Sequence, residues 1–284
     1  QQSEFAFFGV PTSVGTPFIF TENKHFEEKE MKKILGLVLT LVILVLLLGW
    51  CVSSEGSLNG VTYDISDDKT YAIVVGCDDE LQDITIEKEY KDLPVTEIAP
   101  NAFEYCSSLT SIVIPDSVTR IGDGAFYTCR NLTAIVIPDS VTSIGKSAFN
   151  GCKNLTSVVI GSSVTTIGDY AFHYCDALSS VVIGDSVTSI GKNAFSWCDS
   201  LTSIVIPDSV TSIGEEAFYN CYRLSSIVIG NGVTTIGEDA FSPCVSLNDV
   251  YYTGSADDWA KIHIDFGNAH LTGATIHYNY VPEE

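Results

Sequence analysis

The sequence predicts an α/β repeat solenoid: mostly short parallel β-strands with single helical turns, stacked coil on coil and capped at both ends. Three observations predict it. A 23-residue unit recurs six times without insertion over residues 109–246. Each unit opens with apolar residues in alternation and closes with apolar residues at helical spacing. No unit can bury that apolar set alone, so burial requires a neighbour on either side.

The units begin at Leu109, Leu132, Leu155, Leu178, Leu201 and Leu224. A fixed period in the twenties, opened by Leu-x-x-Ile-x-Ile, is the mark of leucine-rich repeats. In the first unit Ile112 and Ile114 share one side of a strand. Pro115 has no N–H to donate and ends the pairing. Asp116 and Ser117 form a turn. Val118 and Ile121 return to the core through a second short strand, and Gly122 permits the next bend. Ala125, Phe126 and Cys129 stand at i, i+1 and i+4, one face of a single helical turn. The predicted core of this unit is therefore Leu109, Ile112, Ile114, Val118, Ile121, Ala125, Phe126 and Cys129. An irregular copy opens at Leu81, with five extra residues between Ile86 and Val95, and Leu247 opens a diverged one. Eight coils at about 4.8 Å make a rod roughly 40 Å long.

Open solenoid ends expose backbone groups and core side chains, so both need covers. Residues 61–80 read as a hairpin turned at Asp67-Asp68, which caps the first coil. At the other end Asp249–Tyr252 reads as a strand. Ser255 reads as an N-cap with Asp258 three residues on, and residues 274–280 read as a closing strand. The predicted organisation is an N-terminal cap at 52–80, repeats at 81–246 and a C-terminal cap at 247–284.

These units closely resemble the BspA-like leucine-rich repeats, through LTSIVIPDSVTSIGxxAFxxC and a tail of the form DVYYTGSADDWAKI. The resemblance covers residues 81–284. It implies an exported bacterial surface protein, some relatives being adhesins for matrix proteins or other cells. It implies no catalytic residues and no cofactor.

The segment before the repeats is of another kind. Met31 is the only methionine, preceded by Glu27-Glu28-Lys29-Glu30, whose codons are purine-rich like a bacterial ribosome-binding site. Residues 1–30 read as untranslated leader, or else as a disordered tail. Lys32-Lys33 followed by the uncharged run Ile34 to Leu48 reads as an export signal, residues 31–51 forming a signal peptide or membrane anchor. The run only just reaches the length of a spanning helix. Cys51, with Leu48 three places before it, resembles the lipid-accepting cysteine of a bacterial lipoprotein; Trp50 departs from that pattern. Either reading places residues 52–284 outside the cytoplasmic membrane.

Charge narrows the partners. The chain holds 14 basic and 36 acidic side chains; residues 1–51 take 4 and 5 of them, leaving a net charge of −21 on residues 52–284. That balance excludes nucleic acid, which needs clustered Lys and Arg, and suits solubility, cations or a basic partner. No paired catalytic carboxylates, phosphate loop or nucleophile elbow is present, and the histidines lack metal-ligand spacing. Cys106 through Cys244 recur every 23 residues, as a ladder of small buried hydrophobes or a disulfide framework. Asp116, Asp139, Asp185 and Asp208 make a column, broken by Ser162 and Asn231, of solvated turn formers or a weak calcium site.

Two surfaces are candidates for contact. The strand face opposite the core carries Val113, Val136, Val159, Val182, Val205 and Val228. The edge along the helical turns carries Tyr174 and Trp197 at equivalent positions, near His173, Tyr219 and Tyr222. The expected function is non-catalytic surface binding or adhesion, toward a protein or glycan of another cell or matrix. The alternative is a structural spacer with no ligand. One expectation is checked at once by mass spectrometry of the native N-terminus: the chain starts at Met31, and a recovered peptide from residues 1–24 overturns that start.

Overall fold

A computed structural model describes residues 60–78 and 80–282; the leader, the export signal and Cys51 lie outside the described residues. The coils wind into a parallel β-solenoid whose backbone ladders repeat every 23 residues, as in Ser157 opposite Ser180 and Ile167 opposite Ile190. One face is built from β3 (Asp83–Thr85), β6 (Ser111–Val113), β8 (Ala134–Ile137), β10 (Ser157–Ile160), β12 (Ser180–Val182), β14 (Ser203–Ile206), β16 (Ser226–Ile229), β18 (Asp249–Tyr252) and β20 (Thr275–His277). That is nine rungs rather than eight, because the closing strand pairs in parallel with β18 and so adds a rung. A second face stacks two-residue strands: β7 (Arg120–Ile121), β9 (Ser143–Ile144), β11 (Thr166–Ile167), β13 (Ser189–Ile190), β15 (Ser212–Ile213), β17 (Thr235–Ile236) and β19 (His263–Ile264).

The N-terminal hairpin is present as β1 (Val61–Ile65) and β2 (Ala72–Cys77), antiparallel. β2 then pairs in parallel with β5 (Leu93–Ile98), so the cap continues the second face. The extra residues of the first coil form a tight hairpin between β4 (Glu89–Tyr90) and β5. Its two turn residues, Lys91 and Asp92, are both left-handed, at φ 51° and 63°, as a two-residue turn matched to strand twist requires. At the other end α1 (Ala256–Trp259) carries a full capping box between Ser255 and Asp258. α2 (Ala269–Thr272) buries Leu271.

Every residue of the predicted core set, Leu109 through Cys129, is buried. Its centre is a continuous stack of Phe103, Phe126, Phe149, Phe172, Phe195, Phe218 and Phe241. Neighbouring rings lie 4.9–5.4 Å apart and within 9° of parallel, the offset arrangement that aromatic pairs favour. The coils approach closely at Gly168 and its equivalents: a Cβ there would lie 2.7 Å from backbone atoms of Gly145. Glycine is needed at that point for room, not for its torsions.

The Ala-Phe-x-x-Cys element is not a helical turn. Two positions flanking and interrupting it are left-handed in coil after coil: Ser147, Tyr170, Asn193 and Glu216 at one, Thr128, Gly151, Tyr174, Trp197 and Asn220 at the other. A left-handed residue breaks the run of right-handed torsions that a helix needs. The backbone instead alternates its donors. Phe172 N–H bonds forward to Ala194 of the next coil at 2.7 Å, while His173 N–H bonds back to Tyr170 in its own at 3.2 Å. Every second amide thus joins coil to coil, and the edge is a ladder of turns.

The central phenylalanine stack should carry much of the stability. Phe172→Ala should cost about 3–5 kcal/mol by urea denaturation, as aromatic deletions in cores do; Val205→Ala, at 42% exposure, should cost well under ~1 kcal/mol.

Candidate functional site

The strand face is flat and largely self-occupied. Val205 is exposed, whereas Val113, Val136, Val159, Val182 and Val228 are half-buried against their lateral neighbours. The flanking Ser157 is buried. Threonines at the coil bends also turn inward to the ladder: Thr165 donates both its N–H (2.9 Å) and its hydroxyl (3.1 Å) to the Thr142 carbonyl. Thr142, Thr188, Thr211 and Thr234 repeat the arrangement. The recurrent Val-Thr pair is the sequence signal for it, one that a reading of the apolar residues alone passes over.

The cysteine column and the aspartate column are likewise used within the fold. Cys129, Cys152, Cys175, Cys198, Cys221 and Cys244 are buried free thiols. Each donates to the Phe carbonyl of the preceding coil, at 3.0–3.3 Å. Burial raises the pKa of Cys152 through Cys244, to about 12 for Cys244, and the hydrogen bond with Cys152, then burial, raises that of Cys129, so they stay protonated and unreactive. Asp139 accepts from the Ser162 backbone and hydroxyl, and its pKa is lowered chiefly by the backbone bond. Asp208 accepts from the Asn231 N–H and the Thr253 hydroxyl. Asp116 pairs with Lys88 at 2.8 Å. Asp139 and Asp208 thereby hold the next coil's turn in place. Among the described residues no group of three or more His, Cys, Asp or Glu is placed to hold a metal ion.

The turn edge differs. Across three coils, Tyr170, His173, Tyr174, Trp197 and Tyr222 form one chain of ring contacts. Tyr174 and Trp197 are tilted at 5.5 Å, and Trp197 meets Tyr222 edge-on at 6.3 Å. Tyr174 and Tyr222 are 41% and 38% exposed, with Trp197 half-buried between them. His173 bonds Ser196 at 2.9 Å. Burial lowers its pKa, against smaller opposing effects of Ser196 and Glu216, so it adds no positive charge at neutral pH. Asp176 and Asp199 stand two residues after Tyr174 and Trp197, at the position Tyr222 takes one coil on. Asp176 pairs with Lys153 at 3.4 Å. Among the described residues Asp199 Oδ1, a buried atom, has no hydrogen-bond partner. Its pKa is raised by desolvation first and by the Asp176 charge second.

Backbone torsion gives this edge a further property. Tyr174 and Trp197 have φ of 55° and 61°, in the left-handed region where Gly151 and Asn220 stand at the same place in neighbouring coils. A bulky residue there costs on the order of 1–3 kcal/mol. The backbone favours glycine, yet the chain places its aromatics here. If they serve contact rather than folding, the double substitution Tyr174→Gly and Trp197→Gly should lower stability by less than ~1 kcal/mol, torsional relief offsetting lost ring contact. A loss above ~2 kcal/mol in denaturant unfolding would instead mark them as lateral packing for Phe172 and Phe195.

A family model described as the BspA type leucine rich repeat region matches residues 96–198 and 165–262, in six copies. No curated protein matches the chain. Among solved structures, the chain is similar to a leucine-rich-repeat protein of T. pallidum at 28% identity and a TM-score of 0.52, covering 70% of this chain and 81% of that one. It is also similar to a leucine-rich-repeat protein of Bacteroides ovatus at 28% identity and a TM-score of 0.41, over 70% and 71% of the two chains. A third likeness is to a leucine-rich cell surface protein of Faecalibacterium prausnitzii at 23% identity and a TM-score of 0.40, over 76% and 98%.

Proposed function

The chain belongs to the BspA-type leucine-rich-repeat family, and on that premise we propose that it is an exported, non-catalytic recognition protein that grips a protein partner along its turn edge. Repeats of this type are commonly protein-binding and generally non-enzymatic scaffolds. One observation carries the choice of edge: Tyr174, Trp197 and Tyr222 cluster on three successive coils although the first two occupy backbone positions that favour glycine. Aromatic side chains with an apolar body and a polar tip are the usual anchors of interfaces.

Charge supports a partner with basic groups. The exposed rings can take Lys or Arg on their faces. The under-satisfied carboxylate of Asp199 gains most from a cation, because desolvation already disfavours its charged form. A net charge of −21 on residues 52–284 steers such a partner inward from a distance. Export rests on Lys32-Lys33 and the apolar run to Leu48; anchoring by lipid at Cys51 or by that run itself belongs to the same proposal. Among the described residues no helix is long and apolar enough to cross a membrane.

The strand face supports a second reading, in which the rod is a spacer. All of its valines but Val205 are half-buried, and the hydroxyls of Thr133 and Thr156 at its strand starts are already bonded, which leaves little to distinguish one ligand from another.

The two readings separate in one experiment. Purified protein is applied to arrays of matrix proteins and glycans at low and high salt. Beside it run the Tyr174→Gly/Trp197→Gly variant and a Val159→Lys/Val182→Lys/Val205→Lys variant. The expected result is saturable binding to protein, weakened about tenfold or more by the aromatic substitutions, weakened by salt, and kept by the lysine variant. Binding lost only in the lysine variant moves the site to the strand face. Binding to glycans alone overturns the protein partner, and no binding by folded protein favours the spacer.

A further inference from the structure

The first cysteine of the column has a neighbour that the others lack. From Cys129 onward each thiol meets the Phe carbonyl of the coil before it. Before Cys106 stands the cap strand β2 instead, and there the Cys77 Sγ lies 2.8 Å from the Cys106 Sγ. Backbone contacts bring the two together. β2 runs in parallel register with β5, Ala72 opposite Val95 and Val74 opposite Ile98, and the Ala99 N–H bonds to the Val74 carbonyl. The strand end then passes over the first turn edge, where a Cβ on Gly76 would lie 3.8 Å from the Ala102 carbonyl oxygen. Cys77 is half-buried, whereas Cys106 is buried.

From this juxtaposition we infer that Cys77 and Cys106 are the site of a disulfide that clasps the N-terminal cap to the first coil. A disulfide needs sulfurs about 2.0 Å apart, so the pair closes by less than an ångström. The remaining column does not compete: its thiols are buried, held on carbonyls and kept protonated, and only a thiolate attacks.

The chemistry is thiol–disulfide exchange with a low-molecular-weight disulfide such as oxidised glutathione. Cys77, the accessible partner, loses its proton to water and attacks one sulfur of the reagent. A mixed disulfide forms on Cys77 and one small thiolate leaves. Cys106 then loses its proton and attacks the Cys77 sulfur, expelling the second small thiolate, which takes up a proton as the first does. Two protein thiols are oxidised and one small disulfide is reduced to two thiols.

The bond would close a loop between residues 29 apart. That loop holds β3 and the hairpin of β4 and β5, which make up a terminal coil that departs from the regular period. Terminal coils of a solenoid have a neighbour on one side only, so they open first. A cross-link here restrains the unfolded form of the segment with the least support. The bond persists in an oxidising compartment, in keeping with the proposed export, but its formation can be tested at a defined redox poise whether or not the chain is exported.

The full chain is equilibrated in glutathione buffers from fully reducing to strongly oxidising, then denatured, alkylated and digested with trypsin. Cys77 lies alone in the peptide of residues 70–88, and Cys106 alone in that of residues 92–120. The expected result is a linked pair of these two peptides, lighter by two hydrogens than their sum, growing in as the buffer becomes oxidising. It should be absent from Cys77→Ser, a variant that leaves the buried column untouched. The linked form should melt several degrees above both the reduced form and Cys77→Ser. Full alkylation of both peptides at every poise overturns the assignment. So does a link from Cys106 to Cys129, or glutathione remaining on Cys77 with no link to Cys106. Equal melting of linked and reduced protein overturns the clasp.

Discussion

The coil-to-coil register is the constraint on which the rest of the molecule depends. Parallel strands bring each residue beside its equivalent 23 positions on, as Val158 beside Val181 and Ile204 beside Ile227. At a strand spacing of about 4.8 Å, an inward position must therefore suit a copy of itself. Phenylalanine does, by offset stacking; isoleucine and leucine do, by aliphatic contact; cysteine does, by aiming its S–H at the carbonyl of the coil before. Glycine is forced wherever backbone meets backbone, as at Gly145 and Gly168. One register error would misplace all of these columns together, which is why the interior scarcely varies.

The same rule acts in reverse on charge. A column of identical ions would repel itself, and the chain avoids this by alternation. Arg120 meets Glu97, Lys153 meets Asp176 and Lys192 meets Glu215, each pair one coil apart. Asp139 meets Ser162, and Asp208 meets Asn231. These exposed pairs add little stability singly; their effect is to remove a penalty. Where carboxylates do follow one another, the cost is visible. Asp199 after Asp176 and Glu238 after Glu215 both have raised pKa values, each from desolvation first and the neighbouring charge second.

The interior was legible in the sequence because burial and period are both one-dimensional signals. The eight core residues from Leu109 to Cys129 follow from alternation and spacing alone. The turn edge was misread because Ala125, Phe126 and Cys129 at i, i+1 and i+4 fit a helical turn as well as a chain of tight turns. Composition held the distinguishing signal: Gly124, Asn193, Gly151 and Asn220 stand at the two positions that proved left-handed, and these are residues that tolerate such torsions. The closing strand at residues 274–280 was legible, but its place as a rung of the stack was not. Residues 275–277 carry no Leu-x-x-Ile opening, and only their pairing with β18 makes them part of the stack. Of the candidate surfaces, both could be located by register, but their exposure could not. Lateral packing half-buries Val159 and leaves Tyr174 exposed, and no period predicts that difference.

Register also limits where recognition can arise. A column that must match itself cannot carry information, so specificity is confined to positions whose side chains leave the stack. On the strand face those positions remain nearly uniform, valine after valine. On the turn edge they do not: across successive coils one position runs Tyr105, Thr128, Gly151, Tyr174, Trp197, Asn220. Such variety within an otherwise repeated unit is not required by the register, and at Tyr174 and Trp197 it runs against the local torsional preference. A torsional cost carried outside the central phenylalanine stack is the ground on which the turn edge is proposed as the contact surface. Asp199, two residues from Trp197, belongs to the same edge, and among the described residues its Oδ1 has no hydrogen-bond partner.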